Sequence, residues 1–469
     1  MQSRTKHISS LKYPKANWLV LLSIFLCASC SSKAKKEFTQ EHAEKHMAKA
    51  WDTTYLKILK AIKAPTFKEQ TIVFQDTTDF RNRLNTAITT LSASGGGTIA
   101  IDSGTYLVKG SIFLKSGVRL YLQKGVELQF SHNPDHYLPV VKSRWEGTFL
   151  RNYSPLIYAI DAENIAITGE GLINGQAEKS WYTWKEKQKA DKKVLRQMGN
   201  DQVPIAERVF GAGHYLRPSA IELIHCKNIL LEGFSVKGAP FWTVHPVLSK
   251  NITIRGLRIG AGTTNDDGID PESCQNVLIE DCIINTHDDC VAIKAGRDQD
   301  GWLYPPSENI IIRNNQFNTA VGSGFCIGSE MSAGVRQVFI ENCTLTSSGK
   351  HAFQFKSNPD RGGFITSIFM RNITVGIAKY GFEFTTNYKG WRGNTYFTTY
   401  RDFYFQNITI DTTTHQSITL TGRQENPISR VYFENCTIGR APVFETIQEI
   451  KDLLFAQTTI NGQALPTKR

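Results

Sequence analysis

A short pattern of polar and apolar positions recurs along most of the chain. Each copy opens with a polar residue, followed by two apolar residues that are separated by one residue of any type. A second pair of apolar residues with the same spacing follows after two or three further residues. The copies begin at Asn164, Asn228, Asn251, Asn276, Asn309, Gln337, Ser367, Asp402, Arg430 and Asp452. From Asn228 onward they follow one another at intervals of 22 to 35 residues. Strands this short bury their apolar side chains only by stacking on neighbouring copies. The period therefore predicts a parallel β-helix.

Two regions depart from the strand pattern. Residues 33–70 are charged and predicted to be helical, and Asp79 to Leu91 also has helical spacing. Residues 177–208, rich in Lys, Gln and Trp, fill most of the 64-residue gap between Asn164 and Asn228. We therefore predict an all-β fold class: a solenoid of about ten coils with a short N-terminal helical cap and a helical insertion near residues 177–208.

The first 29 residues have the features of a signal peptide. Basic residues precede an apolar core over residues 18–28, which is too short to span a membrane as a mature helix. Cys30 follows Leu-Cys-Ala-Ser, which resembles a bacterial lipobox, so we predict lipidation at Cys30. This predicts a signal peptide at 1–29, a lipid-anchored tether or cap at 30–70 and the β-helix domain at 71–469. The protein would lie in the bacterial periplasm or cell envelope, attached to the outer or inner membrane; plain secretion is the alternative.

Composition narrows the function only slightly. With 469 residues and 41% hydrophobic content, the chain can bury a large core. Its net charge of +11 suits an acidic partner such as nucleic acid, an anionic membrane or a polyanionic sugar. The nine cysteines lack the paired spacing of a zinc site, and five of them lie in apolar runs typical of buried thiols. We predict no metal and no cofactor, and a monomer.

Two acidic motifs lie close together in the sequence: Asn265-Asp266-Asp267-Gly268-Ile269-Asp270 and His287-Asp288-Asp289-Cys290. Asp267 and Asp288 are 21 residues apart, close to one coil, and equivalent positions on successive coils are roughly 4.8 Å apart. Like charges this close raise the pKa of one carboxyl, which places an acid beside carboxylates. That combination hydrolyses glycosidic bonds. Turn residues without a catalytic role and a calcium site are the alternatives.

The acidic motifs resemble those of the family 28 glycoside hydrolases, the polygalacturonase-like enzymes that cut pectin. Asn265 to Gly268 resembles that family's Asn-Thr-Asp-Gly motif, and Asp288-Asp289-Cys290 resembles its Asp-Asp-Cys motif. The resemblance implies a right-handed parallel β-helix and an inverting reaction. It further implies that Asp288 is the general acid, that Asp267 and Asp289 hold and deprotonate the attacking water, and that Asn265 orients the site.

Two departures from the family pattern concern substrate binding. The family's Gly-His-Gly is replaced by a segment around Ser323, and its Arg-Ile-Lys is Gln354-Phe355-Lys356. Glutamine lacks the bidentate charged contact of a guanidinium. We predict that Ser323, Gln354 and Lys356 bind substrate and that Arg361, or alternatively His351, compensates for the missing arginine.

The predicted substrate is an acidic plant cell-wall polysaccharide or oligosaccharide that contains galacturonic acid. The missing arginine favours a mixed chain of the rhamnogalacturonan type, with exo attack on oligogalacturonides as the alternative. Insertions at 177–208 and 298–307 would favour exo action by blocking one end of the groove. A pectate-lyase-like enzyme and a non-catalytic polysaccharide-binding surface protein remain alternatives, whereas no nucleic-acid-binding motif is present. Trp181, Trp184, Trp302 and Trp391 would either stack on sugars or pack internally.

Overall fold

The computed structural model describes residues 37–75 and 78–469. The predicted signal peptide and the predicted lipidation residue Cys30 lie outside the described residues. Within the described part of the chain, no helix is both long and apolar enough to cross a membrane.

Parallel strands stack on three faces of a solenoid, and the chain passes from one face to the next in successive coils. The first face holds thirteen strands among the described residues. They are Thr71–Phe74, Gly97–Ile101, Val118–Leu122, Glu163–Gly169, Lys227–Glu232, Lys250–Arg255, Gln275–Glu280, Ser307–Arg313, Ile428–Glu434, Ile450–Ala456 and the opening parts of three long strands, Val335–Lys356, Phe364–Thr385 and Thr399–Thr421. The first three strands precede Asn164 and lack the repeat signature, which explains why the sequence predicts only about ten coils.

The other two faces follow the same stacking, and the long strands continue across both of them. The second face comprises Gly104–Val108, Val126–Phe130, Leu172–Asn174, Ser235–Lys237, Arg258–Ile259, Ile283–Thr286, Gln316–Thr319, Thr437–Arg440 and Thr459–Ile460, the last paired with Gln463–Ala464. The third face comprises Ile112–Phe113, Ile157–Ile160, Ile221–Ile224, Val244–Val247, Val291–Ile293, Ser323–Ile327 and Val443–Gln448.

The polar residue that opens each copy of the repeat has a backbone role. All ten of these residues adopt the left-handed region, with φ between 55° and 68°. Asparagine tolerates this region better than most residues, which accounts for its frequency there. The asparagine side chains also bond from coil to coil: Asn251 donates to Asn228 at 3.1 Å, and Asn276 donates to Asn251 at 3.1 Å. The turn and the ladder together keep the strands in register.

Helices cover the N-terminal end and one side of the solenoid. Helix α3 (Phe80–Ala93) contacts strands of all three faces at the first coils. Helices α1 (Gln40–Lys49) and α2 (Leu56–Ala61), joined by the π-helical segment Ala50–Tyr55, lie instead along the outer surface of the first face. There Trp51 and Tyr55 pack on Phe339. The segment predicted as a tether or cap thus covers a side of the solenoid, and α3 caps its end.

The predicted helical insertion is present beside the third face. It contains short 3₁₀ turns at Ala177–Lys179, Trp181–Thr183 and Ile205–Glu207 and helix α4 (Trp184–Asn200). A hairpin of Val141–Trp145 and Thr148–Asn152 lies next to it and pairs with Val209–Phe210; a 3₁₀ turn, Pro134–Tyr137, precedes the hairpin. Trp181 and Trp184 are buried against each other and against Tyr153. These two tryptophans therefore pack internally.

Seven cysteines fall within the described residues, and all of them are buried free thiols. They include the five in apolar runs that the sequence assigns to the core.

Candidate active site

The two acidic motifs lie on neighbouring coils, at the turn that joins the second face to the third. Asp288 and Asp289 occupy the turn between Ile283–Thr286 and Val291–Ile293. Asp267 lies on the preceding coil, where the amide of the next residue donates to the Asp289 carbonyl at 2.9 Å. Residues in a turn escape the strict alternation of a strand, so both members of the Asp288–Asp289 pair reach one cavity. The structure thus brings together the three aspartates singled out from the sequence.

Asp266 holds the backbone of this turn. Its buried carboxylate accepts hydrogen bonds from the amides of Asp288 at 2.9 Å and His287 at 3.1 Å, and from Gly262 on its own coil at 2.7 Å. The carboxylate therefore ties the loop before Asp267 to the turn that carries Asp288. In the sequence, nothing distinguishes this role of Asp266 from that of a neighbouring motif residue.

Asp289 is held as a carboxylate. Its Oδ2 lies 2.9 Å from Lys356 Nζ and accepts from the Cys326 thiol at 3.1 Å, while Oδ1 accepts from the Ser323 amide at 2.6 Å. Burial opposes ionisation, but Lys356, Lys294 and these hydrogen bonds outweigh it and keep the pKa of Asp289 well below its usual value. The predicted binding residues Lys356 and Ser323 thus contact a catalytic candidate.

Asp288 has the opposite electrostatic setting. Burial and the neighbouring negative charge of Asp289 raise its pKa above the ordinary value. Its Oδ2 lies 3.4 Å from Asn265 Nδ2, a contact at the outer limit of a hydrogen bond. Two adjacent carboxyls with pKa values displaced in opposite directions place an acid that can donate a proton beside a carboxylate that stays ionised.

Asn265 is positioned by the insertion. Its side-chain oxygen accepts from the Arg217 guanidinium at 2.8 Å, and Arg217 also donates to Gln188 of α4 at 3.0 Å and to the Thr264 carbonyl at 2.7 Å. Arg217 is fully buried. Sequence reasoning missed this arginine because its partners, which also include the Pro240 carbonyl at 3.0 Å, come from three distant segments.

A buried lysine lies beneath the aspartates. Lys294 Nζ donates to the Gly328 carbonyl at 3.1 Å and lies 3.7 Å from Asp267, 3.9 Å from Asp270 and 3.5 Å from Glu330. Burial disfavours its ammonium form, but Glu330 and Asp267 outweigh burial and raise its pKa. Sequence reasoning missed Lys294, although a lysine directly after the apolar strand Val291–Ile293 is an available signal.

A cavity of about 300 Å³ is lined by Asn265, Asp267, Asp288, Asp289 and Lys294. Helix α4 lines one part of the cavity through Lys192 and Arg196, which lie 3.8 Å and 2.6 Å from the Glu146 carboxylate. At the opposite side, Lys350 and Lys389 line the mouth, and both are exposed to solvent. The cavity therefore has basic groups on both sides of the aspartates.

The structure corrects the expectation for Arg361. This guanidinium is buried, donates to the Ser329 carbonyl at 2.7 Å and pairs with Asp298. Arg361 does not line the cavity, because its guanidinium is paired with Asp298 of helix α5 (Asp298–Trp302).

Gln354 lines the cavity, but neighbouring side chains already bind its amide. It donates to Glu383 and lies 3.3 Å from Ser323 Oγ. The alternative His351 is buried, with Nε2 2.8 Å from Glu383, so it does not replace the missing arginine. In residues 37–75 and 78–469, no group of three or more His, Cys, Asp or Glu side chains is arranged to hold a metal ion.

Comparison with known proteins defines the class. Residues 210–459 match the model for glycosyl hydrolases family 28. A probable polygalacturonase of Vitis vinifera is 30% identical over 368 residues, which cover 74% of this chain and 68% of the relative. The protein is thus a glycoside hydrolase on a β-helical scaffold, and the chain belongs to glycosyl hydrolase family 28.

Solved structures agree with this assignment. An exopolygalacturonase from Thermotoga maritima is 33% identical and superposes with a TM-score of 0.83 over 89% of this chain and 99% of its own. A family 28 exopolygalacturonase from Yersinia enterocolitica, 24% identical, shares the fold with a TM-score of 0.71 over 85% of this chain and 76% of its own. The predicted right-handed parallel β-helix and the predicted enzyme class are confirmed.

Proposed function

We propose that this protein is an inverting, exo-acting hydrolase that removes single galacturonate units from one end of α-linked galacturonate chains. The observation that carries the proposal is helix α4, which lines one part of the aspartate cavity through Lys192 and Arg196. A cavity closed on one side of the cleavage point accommodates a chain end rather than the middle of a chain. The similarity to the Thermotoga maritima exopolygalacturonase supports the same conclusion.

The displaced pKa values of the three aspartates suggest separate roles. Asp288, whose pKa is raised, donates its proton to the glycosidic oxygen as the bond from that oxygen to the anomeric carbon breaks. Water attacks the opposite side of the anomeric carbon and passes its proton to Asp267, whose carboxyl lines the cavity and whose pKa is raised above the ordinary value, chiefly by burial. Asp289, ionised beside Lys356, holds the water and stabilises positive charge on the sugar ring. Asp267 then releases its proton to solvent, and Asp288 regains one from solvent.

Lysines and an arginine on both sides of the cavity bind the carboxylates of the galacturonate substrate. Lys192 and Arg196 are placed to bind the terminal galacturonate, and Lys350 and Lys389 the next unit. These basic groups bind galacturonate carboxylates in place of the family's arginine, which is Gln354 in this chain. We therefore favour a galacturonate chain over a rhamnogalacturonan-type chain.

Product analysis tests this function. Digestion of purified trigalacturonate and of polygalacturonate is expected to release monogalacturonate from the first time points, without intermediate oligomers from the polymer. A ladder of oligomers would contradict exo action, faster cleavage of rhamnogalacturonan would overturn the substrate, and ultraviolet-absorbing products would indicate a lyase. The double variant Lys192→Met/Arg196→Met should lower kcat/KM by about 10- to 100-fold, the value of one or two charged hydrogen bonds. Lys193→Met, on an exposed part of the same helix, serves as the matched control.

We also propose that the enzyme is a lipoprotein of the bacterial cell envelope, anchored through Cys30. The lipobox-like sequence before Cys30 supports this location. Mass spectrometry of the protein recovered from bacterial membranes should find an acylated Cys30 at the new N-terminus, and an unmodified, longer or shorter N-terminus would contradict it.

A further inference from the structure

Asp270 is a buried carboxyl group that no donor satisfies. Its side chain is 0% exposed, and neither of its oxygens has a hydrogen-bond donor among the described residues. Asp267 lies within side-chain hydrogen-bonding range, yet a second carboxylate can only accept. The nearest described cation, Lys294 Nζ, is 3.9 Å away and is shared with Asp267 at 3.7 Å. Keeping a buried carboxyl group ionised costs too much free energy unless hydrogen-bond donors or a closer cation stabilise its charge.

The buried ion pairs beside the cavity lead to the same conclusion. They join four carboxyl groups to three cations. The carboxyls are those of Asp267, Asp270, Asp289 and Glu330; the cations are Lys294, Arg297 and Lys356.

Two of the cations already have close partners. Lys356 lies 2.9 Å from Asp289, and Arg297 lies 2.7 Å from Glu330. Lys294 is therefore the one cation in this set that Asp267 and Asp270 share. Asp288 carries a separate proton, which it needs to act as the acid. One further proton therefore belongs to the pair formed by Asp267 and Asp270.

We propose that Asp270 carries this proton and donates it in a hydrogen bond to Asp267, so that Asp270 is a positioning residue for the base. The proposal rests on the function given above. The proton is placed on Asp270 because Asp270 is sealed from solvent, whereas Asp267 lines the cavity and can be solvated there. The hydrogen bond keeps Asp267 ionised and leaves its other lone pairs for the attacking water. Burial is the largest cause of a raised pKa at both carboxyls, as expected for a buried pair that retains a proton.

Two substitutions separate this role from a purely structural one. Asp270→Asn keeps a neutral hydrogen-bond donor, and Asp270→Leu keeps similar bulk without one. We expect Asp270→Asn to retain kcat within about threefold, and Asp270→Leu to lose about 10- to 100-fold in kcat with little change in KM. The acid limb of kcat against pH should stay in place in Asp270→Asn and move to higher pH in Asp270→Leu, since Asp267 loses a donor that favours its ionised form.

An ionised Asp270 predicts the opposite shift. Removing a negative neighbour would lower the pKa of Asp267, and the acid limb would then move to lower pH in both variants. That result, or equal losses of kcat in Asp270→Asn and Asp270→Leu, would overturn the proposal. Thermal unfolding of each variant identifies a folding defect, and the pH profile of Asp270→Asn remains decisive where Asp270→Leu does not fold.

A measurement without substrate separates this proposal from the proposed function. Burial raises the pKa of Glu222 to about 8, so the acid band of Glu222 is present in every variant and is subtracted. The infrared spectrum of Asp288→Asn at neutral pH minus that of Asp288→Asn/Asp270→Asn should show the carbonyl stretch of a protonated carboxylic acid. A difference spectrum without this band would contradict a protonated Asp270, whatever the substrate proves to be.

Discussion

Replacing Asp288 by asparagine is expected to lower kcat on oligogalacturonides by about 10³-fold. General acid catalysis typically contributes 10²- to 10⁴-fold, and an amide cannot supply the proton that the leaving oxygen needs. The loss should fall on kcat far more than on KM, because the substitution leaves the binding groups of the cavity intact. Initial rates by reducing-end assay measure both constants.

Asp281→Asn is the matched control for this substitution. Asp281 is exposed on the same coil and has a φ of 57°, a conformation that asparagine also tolerates. It should keep wild-type kcat. Activity of Asp288→Asn within tenfold of wild type would show that another group protonates the leaving oxygen.

The second large effect is expected for Lys356→Met. This change leaves Asp289 buried without its nearest cation, and breaking such a pair typically costs about 3–5 kcal/mol of stability. The pKa of Asp289 should rise, so kcat should fall by about 10²-fold at neutral pH because a protonated Asp289 can no longer stabilise the charge on the sugar ring. Denaturant unfolding and the pH profile of kcat measure the two consequences.

The loss of stability caused by Lys356→Met should depend on pH, and its direction follows from the pKa of Asp289. The pKa of Asp289 is depressed in the folded protein, so the pair contributes stability above the unfolded pKa of about 4 and loses it as the pH falls further. The destabilisation by Lys356→Met should therefore be complete at pH 7 and shrink in acid. Lys356→Met/Asp289→Asn should recover part of the stability but no activity, since it removes both charges together. A Lys356→Met protein as stable as wild type at pH 7 would contradict this account.

The sequence predicts those features that depend on stacking. Asp267 and Asp288 meet because a solenoid places equivalent positions of successive coils side by side, and their separation along the chain is close to one coil. The same regularity explains why Asn228 and Asn251 mark the start of strands. The pattern shows their polar character, although the left-handed backbone that selects asparagine becomes evident only in the structure.

Features that depend on side-chain direction or on distant segments are not predictable in this way. Arg361 turns from the cavity because Asp298, 63 residues away, binds it. Arg217 acquires its role only once α4 brings Gln188 beside it. The docking of Trp51 on Phe339 likewise joins segments whose amphipathic patterns are separately unremarkable in the sequence.

The stereochemistry of the first product tests the central claim most directly. Proton NMR during rapid digestion of trigalacturonate reports the anomer before mutarotation mixes the forms. An acid at Asp288 and a water held between Asp267 and Asp289 predict that the new reducing end is released as the β anomer from the α-linked substrate. Initial release of the α anomer would mean retention through a covalent intermediate, and it would contradict the roles assigned to the three aspartates.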